Sequence, residues 1–167
     1  AEAGCPVVVL EPSCLATFKD ELLGMLPDDP GARRLADQAV TLSGLLAERA
    51  PDWSPPRPEV PVLLAAHCHQ RAVVGLDAEQ GLLTRLGATF EVPDTGCCGL
   101  AGSFGYEADK YDLSMACGER ALFPRVREAG SGTAVVADGF SCRSQIAHGT
   151  GREALHLAQL LASRLPS

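Results

Sequence analysis

The chain has 167 residues, 46% of them hydrophobic and 21% charged, enough for one domain with a packed core or for one domain and part of another. A net charge of −7 and the lack of any basic block argue against nucleic acid or an anionic membrane face as the main partner. No apolar run approaches the roughly 20 residues of a membrane span, so the chain is read as not membrane-spanning.

The opening "AEAGCPVVVL" has no initiator Met, basic n-region or cleavage site, and enters a strand almost at once. It reads as the start of a fragment from a longer chain; a trimmed chain would look the same. "PVVVLEPSC" (Pro6 to Cys14) reads as a buried strand ending in a turn. Ser13 is a candidate cap for a helix running to Pro27, with Phe18, Leu22 and Leu23 on one face. A second helix is predicted from about Ala32 to Arg49, because Leu35, Ala39, Leu42 and Leu46 fall on one face. "APDWSPPRPEVP" (Ala50 to Pro61) holds five prolines and reads as a linker, with Trp53 pinning it to a neighbouring surface. The predicted organisation is therefore residues 1–50, a linker over 51–61 and a main domain over 62–167.

Val62 to Ala66 reads as the next strand, followed by the loop "HCHQ". Asp77 with Gln80 resembles a capping box, Leu82, Leu83 and Leu86 give the helix face, and Gly87 ends it. "ATFEV" (Ala88 to Val92) is a strand leading into "DTGCCGLAGSFGYE". A helix follows from near Tyr106, with Tyr111, Met115 and Leu122 inward and Pro124 breaking or restarting it. "TAVVAD" (Thr133 to Asp138) is a strand leading to "GFSC", and a last helix covers about Arg152 to Leu165. Strands alternating with helices predict an α/β fold, a parallel-type sheet flanked by helices.

Seven cysteines is an odd number in a chain too long to need staples. Without a signal peptide, reduced cytoplasmic thiols fit better than a secreted disulfide framework. Cys97 and Cys98 are poor partners for each other. Adjacent Cα atoms lie about 3.8 Å apart, against roughly 4.4–6.8 Å for a relaxed disulfide. Cys14, Cys68, Cys97, Cys98 and Cys142 each fall just past the carboxyl end of a predicted strand. In a parallel sheet those ends share one edge, where ligands gather. Cys68, Cys97, Cys98 and Cys142 are therefore expected to converge as four soft donors suited to zinc or an iron–sulfur cluster. Gly96, Gly99 and Gly102 would let the loop take positive φ and approach such a ligand.

"VVLEPSC" (Val8 to Cys14) and "VVADGFSC" (Val135 to Cys142) form a short internal echo, which makes Cys14 a candidate remnant of an incomplete upstream site. A plain buried thiol fits Cys14 equally well. Cys117 reads as a small core residue and Cys5 as incidental. His67 and His69 flank Cys68. A strand pleat would put them on the side opposite Cys68, in a supporting role next to the ligands. "GLAGSFG" lacks the Lys of a phosphate loop and the spacing of a dinucleotide fingerprint. Glu11 and Asp138 end strands and read as turn-forming acids, with catalytic acids as the alternative.

"HCHQ", "GCCGLAGSFGYE" and "ADGFSCRSQIAHGTG" together resemble the cysteine-rich CCG domain found in heterodisulfide reductase, in the iron–sulfur subunit of glycolate oxidase and in lactate-utilisation proteins. Their wording is most similar to the C-terminal part of large FAD-linked oxidases of the D-2-hydroxyacid type (D-lactate or glycolate). The similarity covers nearly the whole chain, with "EPSCLATFKDELL" resembling the tail of a first CCG module. It implies a three-layer αβα domain following that tail. It also carries a ligand pattern onto Cys68, onto Cys97, Cys98 and Gly99, and onto Cys142. One departure stands out: the first cysteine of the family's final Cys-x-x-Cys is Gly139 here. Four thiols in place of five imply an ordinary four-thiolate [4Fe-4S] cluster or a zinc site, not the full set of the family's noncubane clusters.

The resemblance implies an electron-transfer fragment of a cytoplasmic FAD-linked 2-hydroxyacid dehydrogenase, possessing no flavin segment of its own. Its implied partners are the flavin and ferredoxin-like domains of the parent chain and an electron acceptor such as a quinone, reached peripherally at the inner membrane. Two alternatives stand beside it: a zinc-held assembly domain, and a thiol catalyst in which Cys97 or Cys98 attacks a disulfide or quinone.

Overall fold

Among the described residues, five short strands, all in parallel pairs, place the cysteine-bearing segments. The structure, a computed structural model, describes residues 4–53 and 57–165. Residues 54–56 of the predicted linker and the extreme ends of the two flanking segments lie outside it. Strand β1 (Val7–Val8) pairs in parallel with β2 (Ala39–Val40). A second sheet has the order β4 (Phe90–Glu91), β3 (Val62–Leu64), β5 (Ala134–Val136), again parallel throughout. A bridge from Val136 to Leu155 extends that sheet by one residue.

The pleat of β3 and β5 sorts the core into two halves. Leu63, Ala65, Val135 and Ala137 face one way, against Phe123, Val126 and Ile146. Val62, Leu64 and Val136 face the other way, against Leu82, Leu83, Leu86, Leu157 and Leu160. This is the period of two expected of a sheet buried on both faces, and it makes the three αβα layers. Helices α6 (Tyr111–Glu119), α7 (Leu122–Glu128) and α8 (Phe140–Thr150) cover the first face, and α5 (Asp77–Arg85) and α9 (Leu157–Ala162) cover the second. Phe123 is fully buried, wedged between Gly118 and Gly149. A Cβ at either glycine would lie 2.3 or 2.4 Å from its ring. Burying a side chain of this size contributes on the order of 1.5–3 kcal/mol.

The N-terminal segment packs onto this sheet rather than standing apart. It contains α1 (Pro12–Lys19), α2 (Glu21–Met25), α3 (Pro30–Gln38) and α4 (Leu42–Arg49). Helix α1 lies against a π-helical turn (Gln70–Val74), and α4 lies against α5. Leu42, Leu46 and Trp53 join the second core half, so Trp53 pins its segment as expected.

Several local expectations are corrected. The single helix over Ala32 to Arg49 is two helices separated by β2, because Ala39 and Val40 pair with β1. The Thr41 hydroxyl then caps α4 by accepting from Gly44 N–H at 3.0 Å. Strand pairing overrode a helical spacing that reads straight through. Glu11, not Ser13, caps α1, with Pro12 at its first position. Asp77 does not form a capping box: the residue before α5 is Leu76, and no side chain caps that end. Residues Phe140–Thr150 are helical, and the last helix begins only at Leu157 after the bridge at Leu155. The helix expected near Tyr106 is a 3₁₀ turn (Phe104–Tyr106) followed by α6, and Leu122 belongs to α7. Pro124 restarts the chain within the first turn of α7.

Candidate functional site

The loop after β4 carries the paired cysteines, and its shape depends on Gly99. That residue has φ +95°, and a Cβ there would lie 2.1 Å from the Ser114 carbonyl oxygen. The loop therefore lies directly on α6, closer than any side chain permits. Ser114 Oγ donates to Gly99 O at 2.9 Å, and Gln145 Nε2 of α8 donates to Ser114 Oγ at 2.9 Å. Both side chains are buried. This chain of bonds ties the double-cysteine loop to the helix that carries Cys142. Gly96 and Gly102 also take positive φ, as expected from the sequence.

The loop aims its two thiols at different partners. Cys97 Sγ accepts from Gly99 N–H at 3.4 Å and lines the same cavity as the Cys68 thiol. Cys98 shares a buried cluster with Cys142, the third residue of α8. The neighbouring Cys142 thiol, helped by the Leu100 backbone and Ser141, draws the Cys98 thiol down to about 6 against the opposing effect of burial. The same neighbour, Cys98, and its own burial push Cys142 upward. Burial, then the neighbouring Cys97, pushes Cys68 up to about 11.

Cys68, Cys97 and Cys98 line one cavity of about 420 Å³, with Cys142 in contact behind Cys98. Glu11, His67 and His69 complete its polar wall. Two exposed aromatic rings, Tyr106 at 67% and Phe140 at 62% accessibility, stand at its rim. Three of the four expected residues, Cys68, Cys97 and Cys98, thus meet at one cavity beyond the carboxyl ends of β3 and β4, and Cys142, after β5, shares a buried cluster with Cys98. Their donor chemistry, three soft thiols lining one cavity with a fourth buried beside Cys98, suits a thiolate-ligated group. Among the described residues no three His, Cys, Asp or Glu side chains are arranged to hold a single metal ion.

Cys14 is not part of this wall. It is exposed on α1, although Glu11 and Ser13 from the same segment do line the cavity. Its setting nonetheless repeats that of Cys142, since each is the third residue of a helix that follows a parallel strand. Cys117 is half-buried and faces a second cavity beside Cys97, so it is not a fully enclosed core residue. Cys5 is exposed near the chain start.

The pleat expected to separate His67 and His69 from Cys68 is absent. β3 ends at Leu64, and Cys68 and His69 already form a helical turn, so all three line the same cavity. His67 is buried, and its Nδ1 accepts from His69 N–H at 3.2 Å. Burial lowers its pKa, opposed by the Glu11 carboxylate and assisted by His69. Glu11 is a turn-forming acid, as read, but its carboxylate also accepts from Phe140 N–H at 2.7 Å. Asp138 accepts from Leu157 N–H, 19 positions on, at 2.7 Å, and burial raises its pKa. Ser114, Gln145 and the two rim aromatics were not found by sequence reasoning, and no local signal marks them.

No family model matches the chain. It is 29% identical over 158 residues to D-2-hydroxyglutarate dehydrogenase of Pseudomonas putida, covering 93% of this chain and 15% of that protein. It is 30% identical over 169 residues to D-2-hydroxyglutarate dehydrogenase of Pantoea ananatis, covering 96% and 16%. It is 28% identical over 166 residues to one of the subunits that make up the anaerobic glycerol-3-phosphate dehydrogenase of Escherichia coli, covering 97% and 41%. The chain thus spans about a sixth of the two D-2-hydroxyglutarate dehydrogenases and less than half of the glycerol-3-phosphate dehydrogenase polypeptide. It is similar, along nearly its whole length, to a small part of larger oxidoreductases. Among the described residues no helix is long and apolar enough to cross a membrane.

Proposed function

We propose that this chain is the electron-transfer module of a larger FAD-linked 2-hydroxyacid dehydrogenase and binds an iron–sulfur cluster, of the [4Fe-4S] type, through Cys68, Cys97, Cys98 and Cys142. The observation that carries this reading is that Cys68, Cys97 and Cys98, from the ends of β3 and β4, line one cavity, while Cys142, from the helix after β5, is buried in the same core cluster as Cys98. Thiolates at such a site supply one-electron chemistry when they hold iron and sulfide, with a potential tuned by hydrogen bonds and solvent access.

The chain's own residues do the holding. The glycine-shaped loop presents Cys97 and Cys98 to opposite partners, and the Ser114–Gln145 clamp fixes it to α8. The surroundings of Cys98 lower its pKa and so favour the thiolate needed for ligation. Relatives named as dehydrogenases support a role within a parent oxidoreductase. In that parent, the flavin would take electrons from the hydroxyacid. A ferredoxin-like region would lie between it and this module, and an acceptor such as a quinone would lie beyond. The setting is cytoplasmic, peripheral at the inner membrane. The repeated strand-to-helix placement of Cys14 supports a preceding CCG module whose other ligands lie elsewhere in the parent.

Metal and sulfide analysis of protein prepared without air tests the proposal. Iron with acid-labile sulfide in stoichiometric amounts supports it. Stoichiometric zinc without iron would replace it with a structural role, and disulfide-reductase turnover by metal-free protein would favour a thiol catalyst.

A further inference from the structure

Gly139 stands where the resemblance places a fifth thiol, and its backbone does not require glycine. Its φ is −68° and ψ is 129°, an extended conformation open to any residue. The obstacle to a side chain is another residue. A Cβ at position 139 would lie 2.4 Å from His67 Cδ2 and 3.4 Å from Cys142 Sγ. The imidazole therefore fills the space beside Cys142 that a residue-139 side chain would take.

The orientation of the ring is also fixed. Nδ1 accepts from His69 N–H at 3.2 Å, which leaves the proton on Nε2, the nitrogen bonded to Cδ2 on the edge facing Gly139. His67 is only 6% exposed and lines the thiol cavity.

We propose that His67 is a positioning residue that replaces the fifth thiol, occupying its space and donating Nε2–H to the sulfur-ligated group. This rests on the reading above for the donation and on the chain's own packing for the occupancy. The consequence is a site closed to a fifth cysteine and supplied instead with one hydrogen-bond donor. Donation to sulfur raises a cluster's reduction potential by stabilising the more negative reduced state.

Two measurements need no metal. Nitrogen-15 spectra of the imidazoles in the wild-type chain should show His67 with Nε2 protonated and Nδ1 bare. A protonated Nδ1 would overturn the proposal. Denaturant unfolding of Gly139→Ala should show a large drop in midpoint in the wild-type background and little further drop in a His67→Ala background. Equal drops in both would overturn the occupancy. The third measurement is a redox titration of the reconstituted wild type, His67→Leu and His67→Gln. The midpoint potential should fall in His67→Leu and return towards wild type in His67→Gln, whose amide can donate from a similar place. An unchanged potential in His67→Leu would overturn the donation and leave Glu11 as the acceptor. A wild type that takes up no iron defeats the proposed function and the donation with it, while the first two measurements still decide the occupancy.

Discussion

Glu11 and Phe140 are 129 positions apart, yet the Glu11 carboxylate accepts the Phe140 backbone N–H at 2.7 Å. One oxygen serves the N-terminus of α8, and the other accepts from Ser13 N–H and Oγ at the N-terminus of α1. A single acid therefore caps the two helices that carry Cys14 and Cys142, and it holds the N-terminal segment against the cavity wall. A carboxylate suits both positions because each leaves N–H groups unpaired and points a positive dipole end at it.

Glu11→Ala is expected to cost about 1–2 kcal/mol, the range of one lost cap with its charge. Glu11→Gln, which keeps an acceptor and loses the charge, should cost less. Urea unfolding of the three proteins checks this. Equal midpoints for wild type and Glu11→Ala would show that the carboxylate does not join the two segments.

Gly99 and Gly96 share positive φ but not surroundings. A Cβ at Gly99 would meet the Ser114 carbonyl at 2.1 Å, whereas nothing lies within 4 Å of one at Gly96. Gly96→Ala is expected to cost about 1–2 kcal/mol from backbone strain alone. Gly99→Ala adds a collision with backbone that cannot move aside, for a total of about 3–4 kcal/mol or outright misfolding of the loop. Thermal unfolding of the two variants side by side gives the order. A Gly99→Ala as mild as Gly96→Ala would mean the loop does not rest on α6.

Glu79 is 2% exposed, and its Oε1 has no hydrogen-bond partner. Burial raises its pKa above the ordinary 4.5, partly offset by Thr41. A folded-state pKa above the unfolded value means that the native chain holds the extra proton. The resulting stability is complete below about 4.5, and is lost as pH rises through the folded-state pKa. Glu79→Gln removes this penalty while keeping the shape. Its stability relative to wild type should therefore improve steadily as pH rises above about 4.5, as measured by urea unfolding across a pH series. A difference that does not change with pH would mean that Glu79 is ionised in the fold.

The fold class and the meeting of Cys68, Cys97 and Cys98 at one cavity were legible because both depend on element type. Alternating strands and helices fix which residues follow a strand's carboxyl end, and Cys68, Cys97, Cys98 and Cys142 all do. β2 was hidden because Leu35, Ala39, Leu42 and Leu46 satisfy a helical spacing until β1 recruits Val40. Helix α8 was hidden because its buried face includes Cys142 and Gln145, so no apolar stripe marks it. Gln145 is there to hold Ser114, a contact 31 positions away that no local pattern carries. His67 was placed on the wrong side of Cys68 because β3 ends earlier than its apolar run suggests.

The central claim, that Cys68, Cys97, Cys98 and Cys142 together hold an iron–sulfur group, is tested most directly by anaerobic reconstitution with iron and sulfide followed by electron paramagnetic resonance. The account predicts a paramagnetic signal on reduction of the wild type, its loss with falling iron content in Cys97→Ser, and its retention in Cys117→Ser. Equal iron uptake by wild type and Cys97→Ser, or no uptake by either, would contradict it.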